Sequence, residues 1–236
     1  MVRIFLIVLL FFSNLYGAGP ITHLFLGEEY CRIFRIEDED HKRDFLIGTS
    51  FPDIRYITYF PRERTHFNVQ SLKDVGESSS YFIAGMKFHA WVDKVREEFV
   101  VASGIYEKVA PYGEGRKETL LKFIEEEIID YDGRKWRSIF GEVHEEEKAY
   151  ASEELIQKWH TIIWGAIYAR PSWPLWGYSW IKSQLFGISN QTLYNWSYLL
   201  SEYAKDPEFQ GYVDDLLKHI LQQVEQENVL VQKISG

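Results

Sequence analysis

The chain has 236 residues, of which 46% are hydrophobic and 26% are charged, and this composition excludes a disordered chain, a collagen-like fibre and a disulfide-rich miniprotein. Its 26 Lys and Arg residues against 35 Asp and Glu give a net charge of −9, so the chain lacks the broad basic surface of a general duplex-DNA-binding protein. That balance leaves room for a local cationic site such as a metal cluster.

The first 17 residues have the order of a secretory signal peptide. Arg3 precedes an apolar run at residues 4–12, and small residues follow at 13–18. The run is about half of the roughly 20 residues that a membrane-spanning helix needs, which favours cleavage over an uncleaved N-terminal anchor. We expect cleavage after Gly17, with cleavage after Ala18 as the alternative, and therefore a secreted or periplasmic domain of residues 18–236.

Apolar residues recur at helical intervals along most of the remaining chain, and this pattern predicts an all-α, single-domain multi-helix bundle. Helices are predicted at 22–34, 81–101, 116–129, 136–170 (as one helix or two) and 207–231. The charged residues 37–44 are predicted to form a solvated connection. Residues 45–68 contain Pro52 and Pro61 and are predicted to form a long ordered loop. Such loops inside compact domains are usually functional.

A second predicted loop, residues 170–180, begins a stretch that is rich in aromatic side chains. The aromatic residues of this stretch are Trp173, Trp176, Tyr178, Trp180 and Phe186. Side chains of this kind favour membrane interfaces and also stack on nucleic-acid bases, and they equally pack inside helical cores. The sequence leaves these three interpretations open.

Three histidines and two aspartates have the spacing of a metal site. His89 and Asp93 are i and i+4 on the predicted helix 81–101, so both project from one face, and the surrounding FIAGMKFHAWV is apolar. Burying an unpaired Asp there would be costly without a cation, although an i,i+4 pair of this kind can also lie on a solvated surface. Asp53 and His66 share the long loop, and His23 lies near the start of the mature chain. Zinc accepts imidazole nitrogen and carboxylate oxygen as ligands.

Four short motifs, GPITH, FLIGTSFPDI, THFN and FIAGMKFHAWVDK, resemble in this order those of the zinc-dependent phospholipase C family. That family shares its core with the secreted single-strand-specific zinc nucleases, and the resemblance covers about residues 18 to 94. It implies an all-α bundle whose cleft holds a cluster of three zinc ions.

The resemblance also implies a ligand set. One zinc would be chelated by the amino group and carbonyl of the mature N-terminal residue, here Ala18, and by His23. The family usually has Trp at this first position, but the chelate uses backbone atoms only. The ligands implied for the second zinc are Asp53, His66, His89 and Asp93. Asp93 would bridge two ions, and Asp53 would act as the general base.

The ligands of the third zinc are incomplete in this sequence. The family uses a His shortly after the bridging Asp and a downstream His-x3-Glu or His-x3-Asp pair, whereas KVREEFVV follows Asp93 here. Glu97, His144 and His160 are the weaker candidates, because the two histidines are more typical of a solvated face. Lys94 or Arg96 would be available to replace the charge of a missing ion. The sequence therefore predicts two Zn2+ ions and leaves the third open.

These features together predict a secreted zinc-dependent phosphodiester hydrolase, phospholipase C-like, that uses zinc-activated water on a phosphodiester substrate such as phospholipid at a membrane surface. The alternatives are a single-strand nuclease-like phosphodiesterase and a catalytically reduced structural metalloprotein of the same fold. The acidic net charge disfavours duplex nucleic acid as a partner. The sequence indicates no oligomeric state.

Overall fold

The computed structural model describes residues 17–179 and 188–235, and they form an all-α body of packed helices. Its α-helices, numbered in chain order, are α1 Pro20–Ile33, α2 Glu39–Ser50, α3 Arg55–Thr58, α4 Leu72–Gly76, α5 Tyr81–Ser103, α6 Tyr106–Val109, α7 Lys117–Ile128, α8 Glu153–Tyr168, α9 Ser172–Ser179, α10 Asn190–Tyr203 and α11 Pro207–Ser235. Short 3-10 helices occupy the connections at Pro52–Ile54, Arg62–Arg64, Ala110–Tyr112, Gly133–Phe140 and Glu145–Ala149. The predicted all-α multi-helix bundle is confirmed.

The centre of the fold is the close pair of helices α2 and α5. A Cβ atom on Gly48 would lie 2.1 Å from the carbonyl oxygen of Phe82, and one on Gly85 would lie 2.1 Å from that of Phe45. Only glycine permits this approach of the two backbones. The Thr49 hydroxyl donates a hydrogen bond of 3.1 Å to the Gly85 carbonyl across the contact. The end of α2 is thereby held against the first turns of α5.

Helix α1 is capped from outside by a side chain of α7. Its N-cap residue, Gly19, has no side chain to offer, and Pro20 at the first helical position has no N–H. The Glu126 carboxylate accepts hydrogen bonds of 2.9 Å from the backbone N–H groups of both Ile21 and Thr22. An anion at a helix N-terminus satisfies free N–H groups and complements the helix dipole. Helix α7 therefore fixes where the chain enters α1.

Four predicted helices are confirmed to within a few residues at each end, namely α1, α5, α7 and α11. The solvated connection predicted at 37–44 is wrong from Glu39 onward, because α2 begins there and the Asp38 side chain caps it. The charged residues form the exposed side of α2, with Lys42 paired to Glu39 and Arg43 to Asp40, each three residues apart. The same helix takes residues 45–50 from the predicted loop, since Phe45 and Leu46 are buried.

Two later predictions need correction. The segment 136–170 forms 3-10 turns over its first part and becomes an α-helix only at Glu153. Residues 172–179 form helix α9 rather than an aromatic loop. The predicted signal segment up to residue 16, and Trp180 and Phe186, lie outside the described residues. Among the described helices, none combines the length and the apolar character needed to cross a membrane.

Candidate metal centre

Helix α5 positions two of the predicted ligands. His89 and Asp93 lie one turn apart on the face of α5 that is turned into the fold, and they are 1% and 6% exposed. His89 Nε2 lies 3.6 Å from Asp93 Oδ2. The i,i+4 spacing read from the sequence therefore places both side chains in the interior and not on a solvated surface.

The loop after α2 brings Asp53 and His66 to the same place. Asp53 lies in the 3-10 turn Pro52–Ile54, and the Thr65 hydroxyl donates a hydrogen bond of 2.8 Å to the Pro52 carbonyl. This bond ties the two ends of the loop together, so that His66 Nε2 lies 3.6 Å from Asp53 Oδ1 and 3.7 Å from Asp93 Oδ2.

The residues before α1 complete the cluster. The backbone nitrogen of Ala18 donates to Asp93 Oδ1 at 3.0 Å, and His23 Nε2 lies 3.2 Å from the same oxygen. A Cβ on Gly17 would lie 2.3 Å from Asp93 Oδ1, and one on Gly19 would lie 2.2 Å from the carboxyl carbon of Glu126. Glycine at both positions lets the backbone run between two buried carboxylates. All six predicted side chains or backbone atoms therefore come together.

The hydrogen bonds around the histidines determine which ring nitrogen carries the proton. His89 Nδ1 lies 2.9 Å from the Thr49 carbonyl, which can only accept, so Nδ1 is the protonated nitrogen. The Thr65 hydroxyl donates its hydrogen bond to the Pro52 carbonyl. It therefore accepts the hydrogen bond from His66 Nδ1, at 3.1 Å. In a neutral imidazole the other nitrogen, Nε2, then carries a lone pair.

Both imidazoles are neutral at physiological pH. Burial lowers the pKa of His66 to about 4 and that of His89 well below its ordinary value. Their Nε2 lone pairs face each other at 3.2 Å. Burial alone would raise the pKa of Asp93, yet interactions with His89, His23 and Arg62 hold it well below its usual range, and of these Arg62 stays charged at a pH where His89 is neutral. The centre therefore combines several converging acceptor atoms with two donors, the Ala18 N–H and the Arg62 guanidinium, which both contact Asp93.

Such a group fits a metal ion. Two groups of three residues each offer ligand atoms that lie within 4.8 Å of one another. The first group is His23, His89 and Asp93, and the second is Asp53, His66 and His89. The two oxygens of Asp93 face different parts of the cluster, Oδ1 toward Ala18 and His23 and Oδ2 toward His66 and His89. Both ring nitrogens of His23 are buried and make no directed hydrogen bond with any described residue. Imidazole nitrogen with carboxylate oxygen is the donor set of zinc, and protonated Nδ1 atoms held by oxygen acceptors are the usual second layer around it.

Three cations near the centre are absent from the predicted site, and for one of them, Arg55, the Nε atom lies 3.9 Å from Asp53 Oδ1. The Arg62 guanidinium donates a hydrogen bond of 2.7 Å to Asp93 Oδ2, and its side chain is 38% exposed. Lys122 on α7 is only 2% exposed. Burial lowers the pKa of Lys122, and attraction to Asp53 and Asp93 partly offsets that effect. In return, Lys122 holds the pKa of Asp53 below its usual value against the opposing effect of burial. Lys122 and Glu126 share the i,i+4 spacing of His89 and Asp93 within an apolar helix pattern, and this signal was available in the sequence.

The weaker candidates for a third ion lie elsewhere. Glu97 accepts a hydrogen bond of 2.9 Å from the Tyr106 hydroxyl. His160 is paired with Glu147 at 2.8 Å, and His144 with Asp44 at 3.2 Å, in a separate cluster. Of the two proposed replacement charges, Lys94 is exposed, and the buried Arg96 forms a bidentate pair with Glu125.

Exposed aromatic rings form a patch beside the C-terminal end of α7. Trp173, Trp176 and Tyr198 are 71%, 50% and 52% exposed and, with neighbouring small residues, line a cavity of about 480 Å³. The Ser172 hydroxyl donates to the Glu127 carboxylate at 2.7 Å and so anchors α9 on α7. For these described rings, packing in a helical core is therefore not the role.

Comparison of the chain with known protein families, with characterised proteins and with solved structures finds no match in any of the three.

Proposed function

We propose that this chain is a secreted, zinc-dependent phosphodiester hydrolase of the phospholipase C type that acts on phospholipid at a membrane surface. The observation that carries the proposal is the approach of His66 Nε2 and His89 Nε2 to 3.2 Å beside the buried carboxylates of Asp53 and Asp93. Buried acceptors that converge without a proton between them repel one another unless a cation binds them. The ligands for zinc would be Ala18, His23, Asp53, His66, His89 and Asp93.

Bound zinc would supply Lewis acidity, which activates water and stabilises negative charge on a phosphoryl group. Asp53 fits the role of the base, because the charge of Lys122 helps to hold the pKa of its carboxyl below the usual value against burial, and the ionised carboxylate can take the proton of an attacking water. Arg62 is a partly exposed guanidinium at the edge of the centre and is suited to bind the non-bridging phosphoryl oxygens of a diester. Its present contact with Asp93 would hold the guanidinium in position until substrate arrives.

The position of Ala18 supports processing of the chain before this residue. Its nitrogen lies 3.0 Å from the bridging candidate Asp93 and is fully buried. Cleavage after Gly17 would turn this nitrogen into a free amine within reach of a metal. This fits the secreted or periplasmic location predicted from residues 1–17.

The exposed aromatic patch supports a lipid substrate. Tryptophan and tyrosine rings prefer the interface between water and bilayer, and the patch is anchored on α7, the helix that carries Lys122 and Glu126. The same rings can also stack on unpaired bases. The assay below therefore compares a lipid substrate with single-stranded nucleic acid.

The test uses protein that begins at Ala18, loaded with zinc and assayed at neutral pH on three substrates: bis(p-nitrophenyl) phosphate, phosphatidylcholine vesicles and single-stranded DNA. We expect bound zinc, cleavage of the chromogenic diester and release of phosphocholine from vesicles. Cleavage of DNA but not of vesicles would replace the lipase with the nuclease. Bound zinc with no hydrolysis of any substrate would leave a structural metalloprotein, and absence of zinc would refute the metal centre itself.

A further inference from the structure

The three histidines of the centre are held in two different ways. His66 and His89 each form a hydrogen bond through Nδ1 to an oxygen behind the ring, at 3.1 and 2.9 Å. His23 has no bond of this kind, because both of its ring nitrogens are buried without a hydrogen-bond partner among the described residues. Its ring is stacked on that of His89, with the centroids 3.7 Å apart and an angle of 14° between the planes. The backbone of α1 therefore sets where His23 Nε2 lies, 3.2 Å from Asp93 Oδ1.

One buried carboxylate fixes the start of α1. Glu126, on α7, is 4% exposed. One of its oxygens accepts a hydrogen bond of 2.9 Å from the backbone N–H of Ile21. The other oxygen accepts from the N–H and the hydroxyl of Thr22, at 2.9 and 2.6 Å. Both oxygens are thus used to hold α1, and Glu126 belongs to neither group of converging ligand atoms.

Gly19 lets this carboxylate approach the chain so closely. A Cβ at this position would lie 2.2 Å from the carboxyl carbon of Glu126. Gly19 directly follows Ala18, whose backbone nitrogen donates to Asp93 Oδ1 at 3.0 Å. The Gly19 carbonyl also accepts from the His23 N–H at 3.0 Å, in the first turn of α1. Ala18 and His23 are therefore both linked directly to the residue that packs against Glu126.

The other predicted ligands are held by a different part of the fold. Asp53 and His66 lie in the loop after α2, and the hydrogen bond from the Thr65 hydroxyl to the Pro52 carbonyl ties the ends of that loop together. A displacement of Glu126 would move the start of α1 and leave this loop in place. The two proposed zinc ions thus depend on separate supports.

We infer that Glu126 is a positioning residue for one of the two zinc ions. It holds α1 so that the Ala18 amine and His23 meet Asp93, and it does not bind the metal itself. The second ion, at Asp53 and His66, does not depend on it. This inference rests on the proposed zinc centre and adds to it a residue outside the ligand set that controls one ion selectively.

The experiment uses protein that begins at Ala18. It measures zinc per chain by elemental analysis and both stepwise zinc affinities by competition with a chromophoric chelator. Glu126→Gln keeps the size of the side chain but replaces one acceptor oxygen with an NH2 group that can only donate. Gly19→Ala leaves Glu126 chemically unchanged and forces it away from α1.

Glu127→Gln is the matched control. Glu127 is the next residue of α7 and accepts the same two kinds of hydrogen bond at the start of another helix, α9. Its partners there are the N–H and the hydroxyl of Ser172, at 2.8 and 2.7 Å. The control therefore makes the same chemical change to a carboxylate that holds a helix without a candidate ligand in its first turn.

We expect two zinc ions in the wild type. Glu126→Gln and Gly19→Ala should each weaken the binding of one ion by about tenfold or more and leave the other within about twofold, because they remove the support behind one pair of ligands. Glu127→Gln should leave both affinities at the wild-type value. His23→Ala removes a ligand of the affected ion, so adding Glu126→Gln to it should cause no further loss.

Three results would overturn the inference. The first is unchanged affinity in both Glu126→Gln and Gly19→Ala, or equal weakening of both ions. The second is a weakened ion in Glu126→Gln with wild-type affinities in Gly19→Ala, because Glu126 would then be a ligand and not a support. The third is a further loss when Glu126→Gln is added to His23→Ala.

Circular dichroism checks that each variant is folded. If neither Glu126→Gln nor Gly19→Ala folds, Thr22→Val takes their place, since it removes only the hydroxyl bond to Glu126. It should weaken the same ion, and unchanged affinity in this variant would overturn the inference as well.

Failure of this inference is distinguishable from failure of the proposed function. Wild-type protein with two ions but no hydrolysis of any diester would reject the phosphodiesterase and leave the role of Glu126 standing. Wild-type protein with no zinc would reject both.

Discussion

Two buried clusters of histidine and carboxylate occur in this molecule, and they satisfy their polar atoms in opposite ways. In the cluster of His160, Glu147 and His144, each Glu147 oxygen accepts from a different donor: Oε1 from His160 Nε2 at 2.8 Å, and Oε2 from the His144 backbone N–H at 2.8 Å. At the metal centre, the Nε2 atoms of His66 and His89 face each other and two ionised carboxylates. Both places combine imidazole with carboxylate.

The difference lies in where the protons are. A buried donor that meets a buried acceptor needs no ion, because the pair is satisfied by itself. The Nδ1 atoms of His66 and His89 donate hydrogen bonds to a hydroxyl and a backbone carbonyl oxygen. The Nε2 lone pairs of both rings then point into the cluster. This arrangement supports the proposed metal site, and the His160 cluster shows a histidine and a carboxylate that satisfy each other directly.

The largest expected effect comes from removing one charge in each cluster. Asp93→Asn keeps the shape of the side chain but removes its negative charge and one of its two oxygen ligands. We therefore expect kcat/KM for bis(p-nitrophenyl) phosphate to fall ~1000-fold. Glu147→Gln makes the same chemical change beside His160 and should leave kcat/KM within about twofold in the folded protein, with a loss of roughly 1–3 kcal/mol in stability. Equal losses of activity in both variants would erase the distinction between the clusters.

Chelation should separate the clusters by stability. Zinc bound to the native state at about 1,000 times its Kd stabilises it by roughly 4 kcal/mol, so excess chelator should lower the Tm of the zinc-loaded protein by about 10 °C. His89→Ala should abolish this response. His160→Ala should melt at a lower temperature than the wild type yet still respond to chelator by the same amount. A wild-type melting curve that chelator does not move would contradict the metal centre.

The metal-free protein should lose stability in mildly acidic solution because of the centre. The pKa of His66 is about 4 in the fold, against an ordinary value of 6.5. Between these values the unfolded chain binds a proton that the fold rejects, so the free energy of unfolding falls as the pH is lowered through this window. Protonation of His66 in the unfolded chain lowers the free energy of unfolding by roughly 3 kcal/mol across this window. Urea denaturation of chelator-treated protein at a series of pH values measures it.

His66→Gln is the matched variant for that measurement. It removes the titrating ring while keeping a hydrogen-bonding side chain, and its stability should change less steeply between pH 6.5 and about 4 than that of the wild type. An identical slope in the two proteins would mean that His66 is already paired or protonated, as the histidines of a metal-independent cluster would be.

Helical periodicity was sufficient for part of this centre. It placed His89 and Asp93 on one face of α5, and the apolar neighbours indicated that the face is buried. The meeting of Asp53 with His66 depends on the bond between Thr65 and the Pro52 carbonyl, which no local pattern contains. The resemblance to a known family supplied that pairing instead.

The remaining differences have tertiary causes. His160 looked solvated because its partner Glu147 lies 13 residues earlier in a 3-10 turn that does not follow helical spacing. The i,i+4 spacing of Lys122 and Glu126 is visible in the sequence, but the carboxylates of Asp53 and Asp93, whose charges act on Lys122, belong to other elements and are not. Long-range electrostatic partners are therefore the part of this site that propensity and spacing do not reach.

The smallest effect that still distinguishes the clusters comes from the layer behind His66. The buried Thr65 hydroxyl accepts from His66 Nδ1 at 3.1 Å and so holds the ring with Nε2 inward. Thr65→Val keeps the branched shape but removes both this acceptor and the donor to the Pro52 carbonyl, and second-layer changes of this kind weaken metal binding by about tenfold or more. We therefore expect zinc affinity, measured by chelator competition, to fall about tenfold while the zinc count stays the same. Thr161→Val is the control, because that hydroxyl donates only to the Gln157 carbonyl within α8, near the His160 cluster. If both variants bind zinc as the wild type does, then the orientation of His66 is set by packing alone, and the inward lone pair needs another cause.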